Sequence, residues 1–312
     1  MVSIITPESQ IAMSVDSVHK SVLLQESIAS LQLEAGSVVM DGTFGAGGHS
    51  TAIARIIGKS GKLVSFDADK SVFSKEKVQE LERLTTFISV VDNFRNGDEA
   101  LKHLEIDAAL FDLGLSSTQL EVSGRGFSFQ RDEKLQMTFK SDPDESEGDV
   151  TASVILNDWS EDSIATILKG FGEERFARSI ARGIVLRREE APIERTQELV
   201  EIIEASTPKW YQRGRTHHAT RTFQALRIAT NDELGAVAQG LTVAFAHLGR
   251  GGRLSVISFH SLEDRVVKHL FRDLVEQGVA TRITKKPIIP QEEELRENPR
   301  ARSAKLRVIE KV

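Results

Sequence analysis

Four glycines fall within seven positions, at Gly42, Gly45, Gly47 and Gly48, directly after the apolar run Val38-Val39-Met40 and its terminal Asp41. A run that short and that apolar predicts a buried strand. The glycines behind it predict a tight turn into a helix, because they allow positive φ and let a ligand approach the backbone closely. A second apolar run, Leu63-Val64-Ser65-Phe66, ends in Asp67. An acid about 20 residues beyond such a loop is placed to bind ribose hydroxyls. Dinucleotide enzymes and methyltransferases both use this arrangement, so the loop alone does not choose between them. The loop does not close in a phosphate-binding Gly-Lys-Ser/Thr, and Gly58-Lys59-Ser60 further on has no glycine five residues before it, which sets a phosphate-loop NTPase aside.

The strand pattern repeats. Strands are expected near 37–41, 62–67, 86–91 and 107–112, with helical periodicity between them, and this alternation predicts an α/β chain with a parallel sheet covered on both faces. From about 118 to 216 the strand signal stops and helical segments follow one another. A strand returns at 251–259, and the basic stretch 296–307 is read as a loop feeding an edge strand beside it. Sheet, helical block, sheet describes an insertion. The expected division is a discontinuous cofactor-binding domain, 1–117 with 217–312, and an inserted helical domain, 118–216, hanging over the carboxyl ends of the strands.

Composition removes several chemistries. With no cysteine there are no disulfides, thiolate zinc sites or cysteine-ligated iron–sulfur clusters. The thiolate that pyrimidine carbon-5 methyltransferases use is also missing, so a pyrimidine-methylating chain of this kind should act on nitrogen or oxygen. No apolar run approaches membrane-spanning length, and residues 1–15 lack a secretion-signal pattern, so a cytoplasmic protein without membrane contact is expected. The net charge is −6, yet base gathers at Arg175, Arg178, Arg182, Arg187 and Arg188, again at Lys209, Arg213 and Arg215, and over 296–307. Such clusters read either as solvated helix faces or as a surface that follows phosphates.

Five places carry candidate chemistry. Asp112, leaving the fourth strand, is followed by Ser116, Ser117 and Gln119. The carboxylate and hydroxyls are candidates to polarise an amino group, or Asp112 simply caps the loop. Arg125 and Phe127, in Gly124-Arg125-Gly126-Phe127-Ser128-Phe129, offer a cation and an aromatic ring for a flipped base, with core packing as the alternative for the ring. Arg221, Gln224 and Arg227 share a helical face as candidate substrate contacts. His260 ends the fifth strand, where Ser261 and Asp264 fit a capping box for the next helix. Adjacent His217 and His218 lack a carboxylate at ligand spacing, and no metal is expected.

In this order the blocks resemble the MraW-type family, the small-subunit ribosomal RNA methyltransferase H proteins. The resemblance rests on His19-Lys20-Ser21-Val22-Leu23-Leu24-Gln25-Glu26, the glycine loop, and the stretches 112–119, 125–129, 172–175, 219–234, 251–268 and 298–307. It implies a Rossmann-like class I methyltransferase sheet with an inserted helical domain. It also implies methyl transfer from S-adenosylmethionine to the exocyclic N4 of a cytidine in the decoding centre of 16S RNA. The implied partner is that RNA within an assembled or assembling 30S particle, and a homodimer is compatible with it. Carried over by motif, Gly47, Gly48, His49, Asp67, Phe94, Asp112 and Gln119 would contact the cofactor. Two departures stand out: Gln136 and Thr138 replace an acid and an arginine of the family pattern, and His218 replaces a proline. A ribosome-assembly factor that binds RNA without turnover and a nicotinamide-dependent oxidoreductase remain the alternative readings.

Overall fold

The structure, a computed structural model, describes residues 20–114, 123–140, 143–145 and 148–312. Seven strands form one sheet in the order β3-β2-β1-β4-β5-β7-β6. They are β1 (Val38–Asp41), β2 (Lys62–Asp67), β3 (Thr86–Val91), β4 (Ile106–Asp112), β5 (Leu248–Ser258), β6 (Ala280–Arg282) and β7 (Lys305–Lys311). The first five run parallel, with Val39 opposite Ala108 and Leu110 opposite Ser255. β7 runs antiparallel to β5, and β6 antiparallel to β7.

The sheet's side-chain alternation sorts the core into two layers. Val39, Leu63, Ala108 and Leu110 face α1 (Leu24–Leu31), α2 (Gly48–Ile57) and α3 (Lys75–Leu84), meeting Leu31, Ile53, Ile57 and Leu81. Met40, Val64, Phe66, Ala109 and Phe111 face the other way. There they meet Leu101 of α4 (Gly97–Leu101) and Val237, Leu241 and Phe245 from a helix described below. Strands buried on both faces must be apolar throughout, which is why β1, β2 and β4 were readable as runs.

Two expectations change at the sheet's far end. The strand formed by the basic tail is not an edge: β7 lies between β5 and β6, and the three-residue β6 takes the edge. The fifth strand begins at Leu248, earlier than expected, and a register shift opposite residues 106–108 absorbs the glycines at 249, 251 and 252.

After β4 the chain enters the helical block. Its helices are α5 (Ala152–Asp158), α6 (Glu161–Gly172), α7 (Ala177–Arg188), α8 (Thr196–Ser206) and the single turn α9 (Lys209–Gln212). α10 (Thr220–Asn231) and α11 (Glu233–His247) then lead back to β5, and α12 (Ser261–Glu276) and α13 (Glu292–Glu297) follow it. The block has its own core, built on Ile155, Leu168, Ile180, Ile184, Leu199 and Ile203, and Phe223 and Leu226 of α10 belong to it. α6 and α10 touch at Gly172, where a Cβ would sit 3.1 Å from the Arg221 carbonyl carbon and 3.2 Å from Ala225 Cβ. Among the described residues, no helix is long and apolar enough to cross a membrane.

Candidate active site

Strand order reverses between β1 and β4, and the carboxyl ends there leave a crevice. A cleft of about 650 Å³ fills it, lined by Gly42, Thr43, Asp67, Ala68, Asn93, Phe94, Leu113, Phe139, Asn231, Glu233, Ala236, Val237 and Glu263. The floor therefore comes from the ends of β1 to β4, and the roof from the segment before α5 and from α10 and α11.

The glycine loop is built from the strands outward. The Gly42 amide donates to Leu110 and the Phe44 amide to Phe66, so the turn continues both neighbouring ladders. A Cβ on Gly42 would lie 2.9 Å from Phe111 Cζ. Gly47 caps α2 in the left-handed region at φ 75°, the conformation that asks for glycine. Gly48 lies against Ser21, whose Cβ is 3.3 Å from where its own Cβ would be. Gly42 lines the cleft, whereas Gly47 and Gly48 shape the turn behind it.

Acid gathers at this turn. Asp41, 1% exposed, accepts from Ser50 Oγ at 2.6 Å and the Thr43 amide at 3.1 Å. Burial pushes its carboxyl up to about 7. Asp112 is pushed up to about 7 as well, first by burial and then by the charge of Asp41. Its Oδ2 lies 3.6 Å from Nδ1 of buried His49, and its Oδ1 is buried without a hydrogen-bond partner among the described residues. Its own amide donates to Thr43 Oγ1 at 2.6 Å, and its carboxylate accepts from the Gly114 amide, so Asp112 also caps the start of the loop that follows β4. Asp67 accepts from the amides of Gly45 and Asp69, both at 2.9 Å, and burial raises its carboxyl above the usual range.

Phe94 closes one side. Its ring meets Phe111 edge-on at 5.3 Å and 86°, and Gly240 of α11 leaves the room in which it sits. Opposite, Arg125 is buried and reaches across from the insertion to Asp69 at 2.6 Å, while its other nitrogen donates to the carbonyls of Phe139 and Lys140. Burial alone would raise Asp69, but bonds from Ser71 and Arg125 outweigh it and hold the carboxyl low. Phe127 is buried and stacks on Phe139 at 5.8 Å, so it supports the cleft wall from behind. Asn231 fixes the same wall, accepting from the Phe139 amide at 2.8 Å and donating to Met137 O at 2.7 Å. Of the two departing side chains, Thr138 is buried and accepts from the Lys140 amide, and Gln136 is half-buried.

The remaining candidates are held by neighbours. Arg221 donates to Glu173 O and Gln224 to Phe171 O, so both close the carboxyl end of α6. Arg227 makes a two-bond pair with Glu233, at 2.7 and 2.8 Å, on the cleft wall. His260 is the N-cap of α12, and the capping box is His260 with Glu263, one residue earlier than the expected Ser261 with Asp264. Asp264 is instead clamped by Lys305 and Arg307. Glu233, His260 and Glu263 bring three possible ligand atoms within 4.8 Å of one another, but Arg227 already neutralises Glu233. Ser116, Ser117 and Gln119 lie outside the described residues. Asn93, Phe139, Asn231, Glu233 and Glu263 line the cleft without having been singled out for it from sequence. Glu233 and Glu263 do sit inside the motif blocks at 219–234 and 251–268.

A parallel sheet that reverses between β1 and β4, closes with antiparallel β7 and opens a cleft over the reversal is the Rossmann-like sheet that class I methyltransferases use. Comparison with known proteins narrows this: residues 16–312 match the MraW methylase family, and the chain belongs to it. The ribosomal RNA small subunit methyltransferase H of Paenibacillus sp. (strain JDR-2) is 42% identical, over 94% of this chain and 99% of that one. The protein of the same name from Brevibacillus brevis is 40% identical, over 94% and 98%. Among solved structures, a Streptococcus mutans protein in complex with SAH is a distant likeness, at 12% identity and TM-score 0.45 over 94% of this chain and 99% of that one.

Proposed function

We propose that this chain transfers a methyl group from S-adenosylmethionine to the exocyclic N4 of a cytidine in the decoding centre of small-subunit ribosomal RNA. The names of its relatives support ribosomal RNA as substrate. The observation that carries the chemistry is Asp112 at the carboxyl end of β4, whose Oδ1 is buried without a hydrogen-bond partner among the described residues and whose carboxyl burial pushes up to about 7. S-adenosylmethionine supplies an electrophilic methyl on a sulfonium. Asp67 suits the ribose hydroxyls, Phe94 the adenine face, and Gly42 lets the ligand lie against the backbone.

The amino group of cytosine is a poor nucleophile because its lone pair is delocalised into the ring. An acceptor beside it restores electron density as the N–C bond forms, and takes the proton that nitrogen loses. Asp112 fills that role, with His49 at 3.6 Å orienting the carboxylate. Ser116, Ser117 and Gln119, which lie outside the described residues, remain candidates by sequence: the two hydroxyls to polarise the amino group and Gln119, as the resemblance implies, to contact the cofactor. The helical insertion, through Arg125 and the wall it anchors, seats the cytidine. A homodimer acting on an assembled or assembling 30S particle fits this reading.

Asp112→Asn tests it. Turnover should rise with pH through about 7 in the parent protein as the carboxyl ionises. The variant should lose about 100-fold or more in kcat together with that pH limb, while S-adenosylmethionine still binds. A variant that keeps both rate and limb removes Asp112 from the chemistry.

A further inference from the structure

The helical block carries an exposed aromatic cluster that the cofactor cleft does not use. Trp210, on α9, is 60% exposed. The Arg175 guanidinium lies 5.3 Å from its ring centroid and 5.8 Å from that of Phe176. Phe176 in turn meets Trp210 at 5.8 Å and Tyr211 at 4.9 Å, both edge-on.

The cluster is held in place. Buried Glu174 accepts from the Phe176 amide at 2.8 Å and from Tyr211 Oη at 2.7 Å, which pins α9 to the start of α7. Burial and that bond together push the Tyr211 hydroxyl up to about 12, so it remains a donor. Gln212 fixes the same turn through the carbonyls of Glu204 and Thr207. Trp210 is thus a large ring held in water on a firmly tied turn, beside two further aromatic rings and a guanidinium.

Charge around it is cationic and unspent. The side chains of Arg175, Arg178, Arg213 and Arg215 make no ion pair or hydrogen bond among the described residues. The neighbouring acids are engaged elsewhere: Glu174 as above, Glu173 facing Arg265 at 3.8 Å, and Glu204 facing His218 at 3.3 Å. A hollow of about 480 Å³ beside the ring is walled by Trp210, Tyr211, His217 and Arg221. Arg221 opens α10, and Asn231 at that helix's other end lines the cofactor cleft. Ten residues of α-helix span about 15 Å. The cluster therefore stands a few nucleotides of extended chain from the cleft.

We propose that Trp210 and Arg175 form a stacking subsite for an unpaired base of the substrate RNA, flanking the nucleotide that enters the cleft. The proposal rests on RNA being the substrate and adds where its single strand is gripped. An exposed ring with a guanidinium over it offers a base both a π-face and a cation, and the free arginines follow the backbone phosphates.

The test titrates the full-length protein with a short single-stranded oligoribonucleotide, following tryptophan fluorescence and, with a labelled strand, anisotropy. The chain has two tryptophans, and Trp159 packs against the helical core, so the quenched signal should be that of Trp210. The proposal predicts quenching by the strand, absent with heparin at equal charge. Trp210→Ala should weaken the strand's affinity about 5- to 100-fold and Trp210→Phe much less, with S-adenosylmethionine affinity unchanged in both. Equal affinity in Trp210→Ala, or quenching by heparin as strong as by RNA, overturns the subsite. If small ribosomal subunits are methylated by Trp210→Ala with the parent KM, the subsite fails and the reaction stands. If the strand stacks on Trp210 but no RNA is methylated, the reaction fails and the subsite stands.

Discussion

Gly240→Ala places one methyl group against the wall of the cofactor cleft. The added Cβ would stand 2.8 Å from Phe94 Cε2 and closer still to Cδ2, against the roughly 3.5–4.0 Å of an ordinary carbon contact. The ring must retreat by about 1 Å or turn. Phe111 blocks one side, edge-on at 5.3 Å, so the open direction is into the cleft. Overpacking of this kind costs about 1–3 kcal/mol. If Phe94 is the adenine's wall, a comparable amount is lost from binding, which is about 5- to 150-fold in Kd for S-adenosylmethionine. Calorimetric titration reads the affinity, and a thermal melt reads the strain without ligand. Adding Phe94→Leu to Gly240→Ala should return the melting temperature towards the parent value while binding stays weak. A single variant that melts lower yet binds S-adenosylmethionine with the parent Kd would refute the reasoning, because the ring would then move without touching the cofactor.

Three further outcomes follow from the same geometry. Asp41 holds its proton in the folded protein up to about pH 7, whereas the unfolded chain releases it near 3.8. The folded state therefore binds more protons between those values, and stability falls as pH rises through that window, by an upper bound of about 4 kcal/mol. Asp41→Asn should flatten that fall, read by urea unfolding at pH 5 and pH 8. Arg125→Ala strands buried Asp69 and should cost about 3–5 kcal/mol in urea unfolding, with cofactor affinity falling as the Phe139 wall loosens. Gly172→Ala forces α6 from α10 and should lower the melting temperature while leaving the cofactor Kd unchanged.

Much of the frame could be read before the structure, for a physical reason. Strands buried on both faces must be apolar from end to end, so β1, β2 and β4 appear as runs, each closed by an aspartate at its carboxyl end. β6 could not be read: three residues, two of them exposed polar side chains, carry no pattern. Its presence is what moves β7 inward. At α12 the cap shifted by one residue, because serine suits an N-cap better than histidine by propensity. Tertiary contact decided otherwise, with Lys305 and Arg307 taking Asp264 and freeing Glu263 to complete the box at His260.

The cleft was half legible. Asp67 ends a strand and Phe94 follows one, and both line the cleft, where such folds bind ligands; Asp112 ends β4 beside it without lining it. Arg221 and Gln224 do share a face, yet that face meets the carbonyls ending α6, and no spacing rule shows which neighbour a helix face will meet. Asn231 and Glu233 reach the cleft because the chain turns between α10 and α11 at Asp232, whose φ of 45° is a backbone choice the sequence pattern does not announce.

The most direct measurement of the central claim is the chemical identity of the product. The protein is incubated with labelled S-adenosylmethionine and small ribosomal subunits that lack this modification, and the RNA is digested to nucleosides. Label recovered in N4-methylcytidine, and lost with Asp112→Asn, is the result predicted. Label in another nucleoside would contradict the N4 assignment, and bound cofactor with no label in RNA would contradict turnover itself.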